Sequence, residues 1–336
     1  MERHTQVSLL FSFSVCALIL TSVAAQSTTN SPSTNTSTPT TTITKAASIT
    51  KLPGCQKQCG NLTIPYPFGI GSGCALEPGF EIDCDTSTST TRSPTAFIGK
   101  GIQVYHISDA EMRISNTVAR SCYSLAGALL LPDEAAGMYL GSSQPYSFSE
   151  LNRFTVIGCD EIPLMTGLNF SNGCFSLCAN SSDAVVEGRC MGDGCCRIEI
   201  PKGLKYFETT MISVYNHTGV WDFNPCGYAF LGEASRFHFR GLADLNDTNF
   251  VERIMDNVPI VLDWAIGNLT CVEAQQHKDY ACLVNSQCVD SGTGLGGYRC
   301  SCDPGYEGNP YVSPGCQGNL MSLLLLLVLG MINFYW

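Results

Sequence analysis

The chain has 336 residues, 44% of them hydrophobic, and a net charge of −11 from 18 Lys and Arg against 29 Asp and Glu. That balance excludes nucleic acid as a partner, because phosphate binding needs a dense cationic face. Size alone does not demand cross-links, yet 19 cysteines are present.

The N-terminus sets their redox compartment. Arg3 and His4 precede an apolar run over residues 7–20, and Val23 and Ala25 are the small residues that a signal peptidase reads, so residues 1–25 are expected to be a cleaved signal peptide. Cys16 leaves with it, and the remaining 18 cysteines enter an oxidising compartment, where they pair with one another rather than hold zinc. Seven N-x-S/T sequons agree with this secretory route: Asn35, Asn61, Asn169, Asn180, Asn216, Asn246 and Asn268.

Residues 26–51 follow as a Ser/Thr-rich stalk. Between residues 26 and 50 there are 15 Ser or Thr and almost nothing to bury, so a disordered, O-glycosylated segment is expected.

From residue 52 to 270 short apolar stretches such as "FIGKGIQVYHI", "RFTVIGC" and "TTMISVYN" alternate with Gly, Pro, Asn and Ser. This is the two-residue period of a mainly β, disulfide-rich extracellular domain. One helix is expected over residues 248–255, after the cap candidates Asn246 and Asp247. A strand follows that puts Val258, Ile260, Leu262 and Trp264 on one side. Twelve cysteines lie here, and the adjacent Cys195 and Cys196 should point to opposite faces and bond different partners. Their connectivity is not readable from sequence.

Residues 271–316 hold Cys271, Cys282, Cys288, Cys300, Cys302 and Cys316. The C-x-C at 300–302 followed by "DPGYEGNPY" resembles a small epidermal-growth-factor-like (EGF-like) module. That resemblance implies the pairs Cys271–Cys288, Cys282–Cys300 and Cys302–Cys316. With only 46 residues, such a module is expected to depend on its disulfides.

Three separated stretches then resemble one plant family, the wall-associated receptor kinases. "CGNLTIPYPFGIGSGC" (residues 59–74) with "GFEIDC" is similar to the opening of that family's galacturonan-binding extracellular domain. "GDGCCRIEIPKGL" (192–204) with "NPCGYAFL" (224–231) is similar to its second half, and "GYRCSCDPGYEGNPY" (297–311) to its EGF-like repeat. Family members continue into a second repeat, a transmembrane helix and a kinase. These 336 residues hold no V-A-I-K, H-R-D or D-F-G motif, so an enzyme is not expected. "AIGNLT" before Cys271 lacks the acidic pair of a calcium-binding EGF site, so no bound metal or other cofactor is expected, bridging calcium brought by pectin aside.

Other chemistry reads weakly. "GTGLGG" (292–297) spells G-x-G-x-x-G but has no strand before it or helix after it, so it reads as a glycine-rich loop. The five histidines are scattered, and no serine sits in a G-x-S-x-G elbow.

The resemblance implies binding of de-esterified pectin, a polygalacturonic acid whose carboxylates call for Arg or Lys and some aromatic stacking. Residues 52–270 carry 13 Lys and Arg against 23 Asp and Glu, so overall steering is repulsive and a local basic strip is needed. The first candidate is Arg92, Lys100, Arg113 and Arg120; the second is Arg197, Lys202 and Lys205. Tyr66, Phe68 and Phe80 could stack on sugars, although core packing is the commoner fate of such residues.

The expected role is a pectin-binding receptor-like protein outside the plasma membrane or in the cell wall, a sensor or a decoy. The alternative is an ectodomain that contacts a receptor kinase or another cell-surface protein. Residues 320–336 form an apolar tail with three open readings: a short membrane span, a glycolipid-anchor signal, or the truncation of a longer receptor frame.

Overall fold

Alternating apolar and polar side chains make short strands, nearly all antiparallel, the main regular structure of the chain. The computed structural model describes residues 54–87, 93–130, 134–178 and 182–318. The signal peptide, stalk and tail, with Arg92, Asn35 and Asn180, lie outside the described residues.

A seven-stranded sheet runs in the spatial order Tyr146–Phe148, Ile260–Trp264, Glu111–Ile114, Ile102–Ile107, Thr95–Ile98, Glu81–Asp85 and Gly69–Ile70. Its last pair is parallel and the others are antiparallel. A four-stranded sheet follows the order Cys195–Ile198, Asn152–Ile157, Cys226–Glu233 and Val118–Cys122. A second four-stranded sheet is ordered Phe170–Gly173, Leu164–Gly167, Tyr206–Thr210 and Gly137–Tyr139.

Val258, Ile260, Leu262 and Trp264 are all buried, and so is Val261 between them. The strand Ile260–Trp264 is therefore covered on both faces. The opposite face meets the four-stranded sheet through Asn152, a fully buried amide. Its Nδ2 donates to the carbonyls of Ser149 and Val261, at 2.8 and 2.7 Å, and its Oδ1 accepts from Val261 N–H at 2.9 Å. One side chain thus supplies the rung that a neighbouring strand would, and the buried donors are satisfied.

Two aromatic clusters fill the interior. In the first, Phe68 and Phe80 meet Trp264 edge-on at 5.2 and 5.8 Å between ring centroids. In the second, Phe230, Phe237 and Phe250 meet at 5.2–6.4 Å beneath the helix Phe250–Asn257. Each such ring contributes about 1.5–3 kcal/mol by leaving water. Phe68 and Phe80 are 2% and 0% exposed, which removes them as sugar platforms.

The helix starts two residues later than expected because Asp247 is occupied. Its carboxylate binds Arg240 and Arg253 and accepts from the Asn249 N–H at 3.0 Å, leaving Asn249 at the cap position. Nine disulfides join the 18 described cysteines. Within the large domain they are Cys55–Cys74, Cys59–Cys84, Cys122–Cys226, Cys159–Cys178, Cys174–Cys196 and Cys190–Cys195. Cys195 and Cys196 do take separate partners, since successive side chains of a strand point to opposite faces.

Beyond Thr270, Cys271 bonds Cys288, Cys282 bonds Cys300 and Cys302 bonds Cys316. This segment does not rest on its cross-links alone. Tyr298, Cys300 and Tyr311 are buried in the same cluster as Trp264 and Phe68. Arg299 lies 5.9 Å from the Trp264 ring centre and donates to the carbonyls of Ala110 and Trp264. Asn309 Nδ2 donates to Tyr66 O at 2.7 Å. A segment too small to build its own core has merged with its neighbour's.

Candidate functional site

The turn "PKGLKY" builds one side of a hollow lined by two lysines, Lys202 and Lys205. Gly203 sits at φ +70°, a conformation open to glycine but strained for other residues, and it lets the chain reverse between Lys202 and Lys205. The main chain is then pinned on both sides: Leu140 N–H donates to Lys205 O at 2.9 Å and Phe148 N–H to Leu204 O at 2.8 Å. Lys205 Nζ donates to the carbonyls of Ser142 and Gln144, at 3.1 and 2.6 Å. Both acceptors are neutral, so the ammonium keeps its full charge and one of its three donors. Burial holds its pKa below the ordinary lysine value, with Tyr139 opposing that shift.

Next to this lysine the sheet register sets Tyr206 directly across from Tyr139. The two rings meet edge-on at 6.2 Å, and Tyr139 is 58% exposed. Lys202, Lys205, Tyr139, Tyr206 and Gln144 line a groove of about 980 Å³. Glu77 is the acidic residue on its lining, and Lys202 also pairs with Glu150 at 3.1 Å. Both partners of that pair are more than half exposed, so the pair is weak and readily exchanged.

The strip of Arg92, Lys100, Arg113 and Arg120 is placed differently. Arg92 is outside the described residues. Lys100 is exposed in the turn between Thr95–Ile98 and Ile102–Ile107. Arg113, in the seven-stranded sheet, makes a two-pronged pair with Glu233 of the four-stranded sheet, both bonds 2.9 Å, and approaches Glu111 at 3.4 Å. That hydrogen bond holds Glu233 below the usual carboxylate range against its burial. Arg120 pairs with Glu134 at 2.8 Å. A small hollow of about 420 Å³ beside Arg113 and Arg236 is also lined by Glu233 and Asp256, so an incoming carboxylate would meet like charge there. Of the second strip, Arg197 goes elsewhere: half-buried, it lies over the Phe237 ring at 4.9 Å and donates to Phe237 O.

His217 and Glu161 approach at 2.6 Å, a dyad of the kind used in acid–base catalysis, but both are fully enclosed. The Nδ1 of His217 faces Asn224 O at 2.6 Å, its ring stacks on Tyr123, and Asp160 accepts its backbone N–H. No substrate reaches this pair, which is part of the interior. The described residues contain no His, Cys, Asp and Glu group placed to hold a metal ion, and no described helix is long and apolar enough to cross a membrane. The described sequons Asn61, Asn169, Asn216, Asn246 and Asn268 are all exposed, and Asn169 and Asn268 lie on the lining of the lysine groove, where a glycan would share it with a ligand.

Tyr139 and Tyr206 are the residues that reading the sequence for charge overlooks. The signal was the alternation itself, since Met138 and Phe207 point inward and their neighbours must point out.

Residues 55–118 match the family described as wall-associated receptor kinase galacturonan-binding. Wall-associated receptor kinases 2 and 1 of Arabidopsis thaliana are 37% and 36% identical to the chain over 268 and 269 residues, covering 78% of it and 34% of each relative. Wall-associated receptor kinase-like 6 of the same plant is 26% identical over 299 residues, 78% of this chain and 44% of its own. The chain thus spans about a third of the length of the first two. No solved structure matches it.

Proposed function

We propose, on the premise that this chain carries a wall-associated receptor kinase type of extracellular region with a galacturonan-binding match at residues 55–118, that it binds acidic pectin outside the cell. The observation that carries this reading is the groove in which Lys205, held by neutral carbonyls, stands beside the Tyr139 and Tyr206 pair. A uronate needs a cation for its carboxylate and an apolar platform for its ring face, and the groove offers both where two neighbouring strands meet. Lys100 adds an exposed ammonium on the matched segment, whereas Arg113 and Arg120 would have to give up a carboxylate first. The role is capture, as a sensor or a decoy at the wall, with no bond made or broken.

The test is retention of the secreted glycoprotein on immobilised polygalacturonate at low salt. Retention that falls with salt and is lost in Lys202→Ala/Lys205→Ala supports the reading. Equal retention on neutral dextran, or none with or without calcium, ends it.

A further inference from the structure

We infer that the glycine-rich loop of residues 292–297 forms the second wall of this groove and contacts the bound polymer, so that the EGF-like segment takes part in recognition. The inference rests on the reading of the groove as a uronate site and adds a new contact surface to it.

Thr293, Leu295 and Gly296 line the same groove as Lys202 and Lys205. The loop is held in place rather than merely near. Ser291 N–H donates to Gly297 O at 2.9 Å, the Ser291 and Thr293 hydroxyls bond at 2.9 Å, and Leu295 N–H donates to Thr293 Oγ1 at 3.3 Å. Its glycines seat it on the large domain. A Cβ at Gly296 would lie 2.2 Å from Asn268 O, and one at Gly297 would lie 2.7 Å from Gly267 O. On the facing side, a Cβ at Gly203 would come within 2.9 Å of Leu295 Cγ and 3.0 Å of Thr293 O. Gly203 is the middle of the turn that carries both lysines, so Leu295 packs against the cationic edge of the groove and is still 48% exposed.

The chemistry of the loop suits a polyanion. Residues 291–297 read "SGTGLGG", with no charged side chain in a chain of net charge −11. They offer backbone and aliphatic contacts without repelling carboxylates. Gly296 and Gly297 let a disulfide-stapled loop approach another backbone closely, whereas a Cβ at Gly292 or Gly294 would meet open space.

The experiment compares oligogalacturonate affinity for the full glycoprotein and for two opposite variants, Leu295→Lys and Leu295→Asp. Because the side chain is half-exposed, both variants are expected to fold, checked by unchanged melting. The expected result is tighter binding for Lys, by about threefold, and weaker binding for Asp, by about tenfold, in the direction of Coulomb attraction and repulsion across the groove. Equal weakening by both, or no change in either, overturns the inference and leaves the lysine groove standing. In parallel, hydrogen exchange of the unmodified protein should show protection at residues 293–297 together with 202–206. Protection at 202–206 alone overturns the inference, whereas the absence of any binding by the unmodified protein sinks the underlying reading and this one with it.

Discussion

Around the helix Phe250–Asn257, Arg240 and Arg253 bind Asp244 and Asp247 through four contacts of 2.6–3.0 Å, and Asp244 is fully buried. At the groove, Lys205 bonds only to backbone carbonyls, and Lys202 meets one exposed carboxylate. Both regions concentrate positive charge, yet the first neutralises it inside the fold while the second leaves it facing open space. A basic residue therefore signals a ligand when its neighbours are neutral, as for Lys205, or its ion pair is exposed and weak, as for Lys202. In a domain with ten more acidic than basic residues, most cations are claimed by the protein's own carboxylates. The arginines take these roles because a planar fork matches a carboxylate two-pronged, as Arg113 matches Glu233.

The largest effect that can break this comparison is expected at Asp244. Asp244→Ala removes a buried carboxylate that accepts from Arg240 Nε, from Arg253 and from the Arg240 N–H, and leaves both guanidinium groups with Asp247 alone, for a stability loss of about 3 kcal/mol. Thermal or urea unfolding should register that loss, while retention on polygalacturonate by the folded fraction stays unchanged. A loss of retention at intact stability would mean that the cluster is a ligand site after all.

Arg113→Ala comes next. It leaves the largely buried Glu233 without its fork, for a stability loss of about 2 kcal/mol, and should alter polygalacturonate affinity by less than about twofold. A tenfold drop would return Arg113 to the binding surface and erase the contrast with Lys205.

A third effect distinguishes an interior cation from a surface one by pH. Burial pushes the His217 pKa down, but the hydrogen bond and charge of Glu161, the Asn224 carbonyl and Asp160 together raise it above the ordinary value. A raised folded pKa means that the folded state holds the proton longer than the unfolded chain. The stabilisation is complete below the unfolded value and is lost as pH rises through the folded one. Within that window stability should fall by at most about 1.4 kcal/mol per pH unit. A urea series across neutral to alkaline pH would show this slope, and His217→Gln should flatten it; an identical slope in the variant would remove His217 as its source.

Much of the fold was legible because its signals are local. Alternation marked the strands, among them the one that ends at Trp264. What charge reading missed is non-local. The groove draws on residues 77–79, 139–147, 168–170, 201–206, 265–268 and 293–296, and no single window of sequence contains it. Likewise nothing near Arg113 announces Glu233, which is 120 residues away and arrives only when two sheets meet. The fusion of the EGF-like segment with the first aromatic cluster was hidden for the same reason: Tyr311 looks like part of a short disulfide loop until Trp264 is placed beside it at 6.4 Å.

The smallest and most discriminating effect concerns Lys205 itself. Lys205→Ala should weaken oligogalacturonate binding by about tenfold, equal to about 1.4 kcal/mol, with little change in melting because the carbonyls of Ser142 and Gln144 lie where water can replace the amine. Burial lowers the Lys205 pKa, so its ammonium is lost at a lower pH than that of an exposed lysine. Affinity for a fully ionised uronate should accordingly be constant through neutral pH and decline first through the Lys205 transition on the alkaline side. In Lys205→Arg the guanidinium stays charged over that range, and the decline should disappear even if the absolute affinity shifts. An alkaline decline that persists in the arginine variant would assign the titration to another group and weaken the case that this one ammonium holds the ligand.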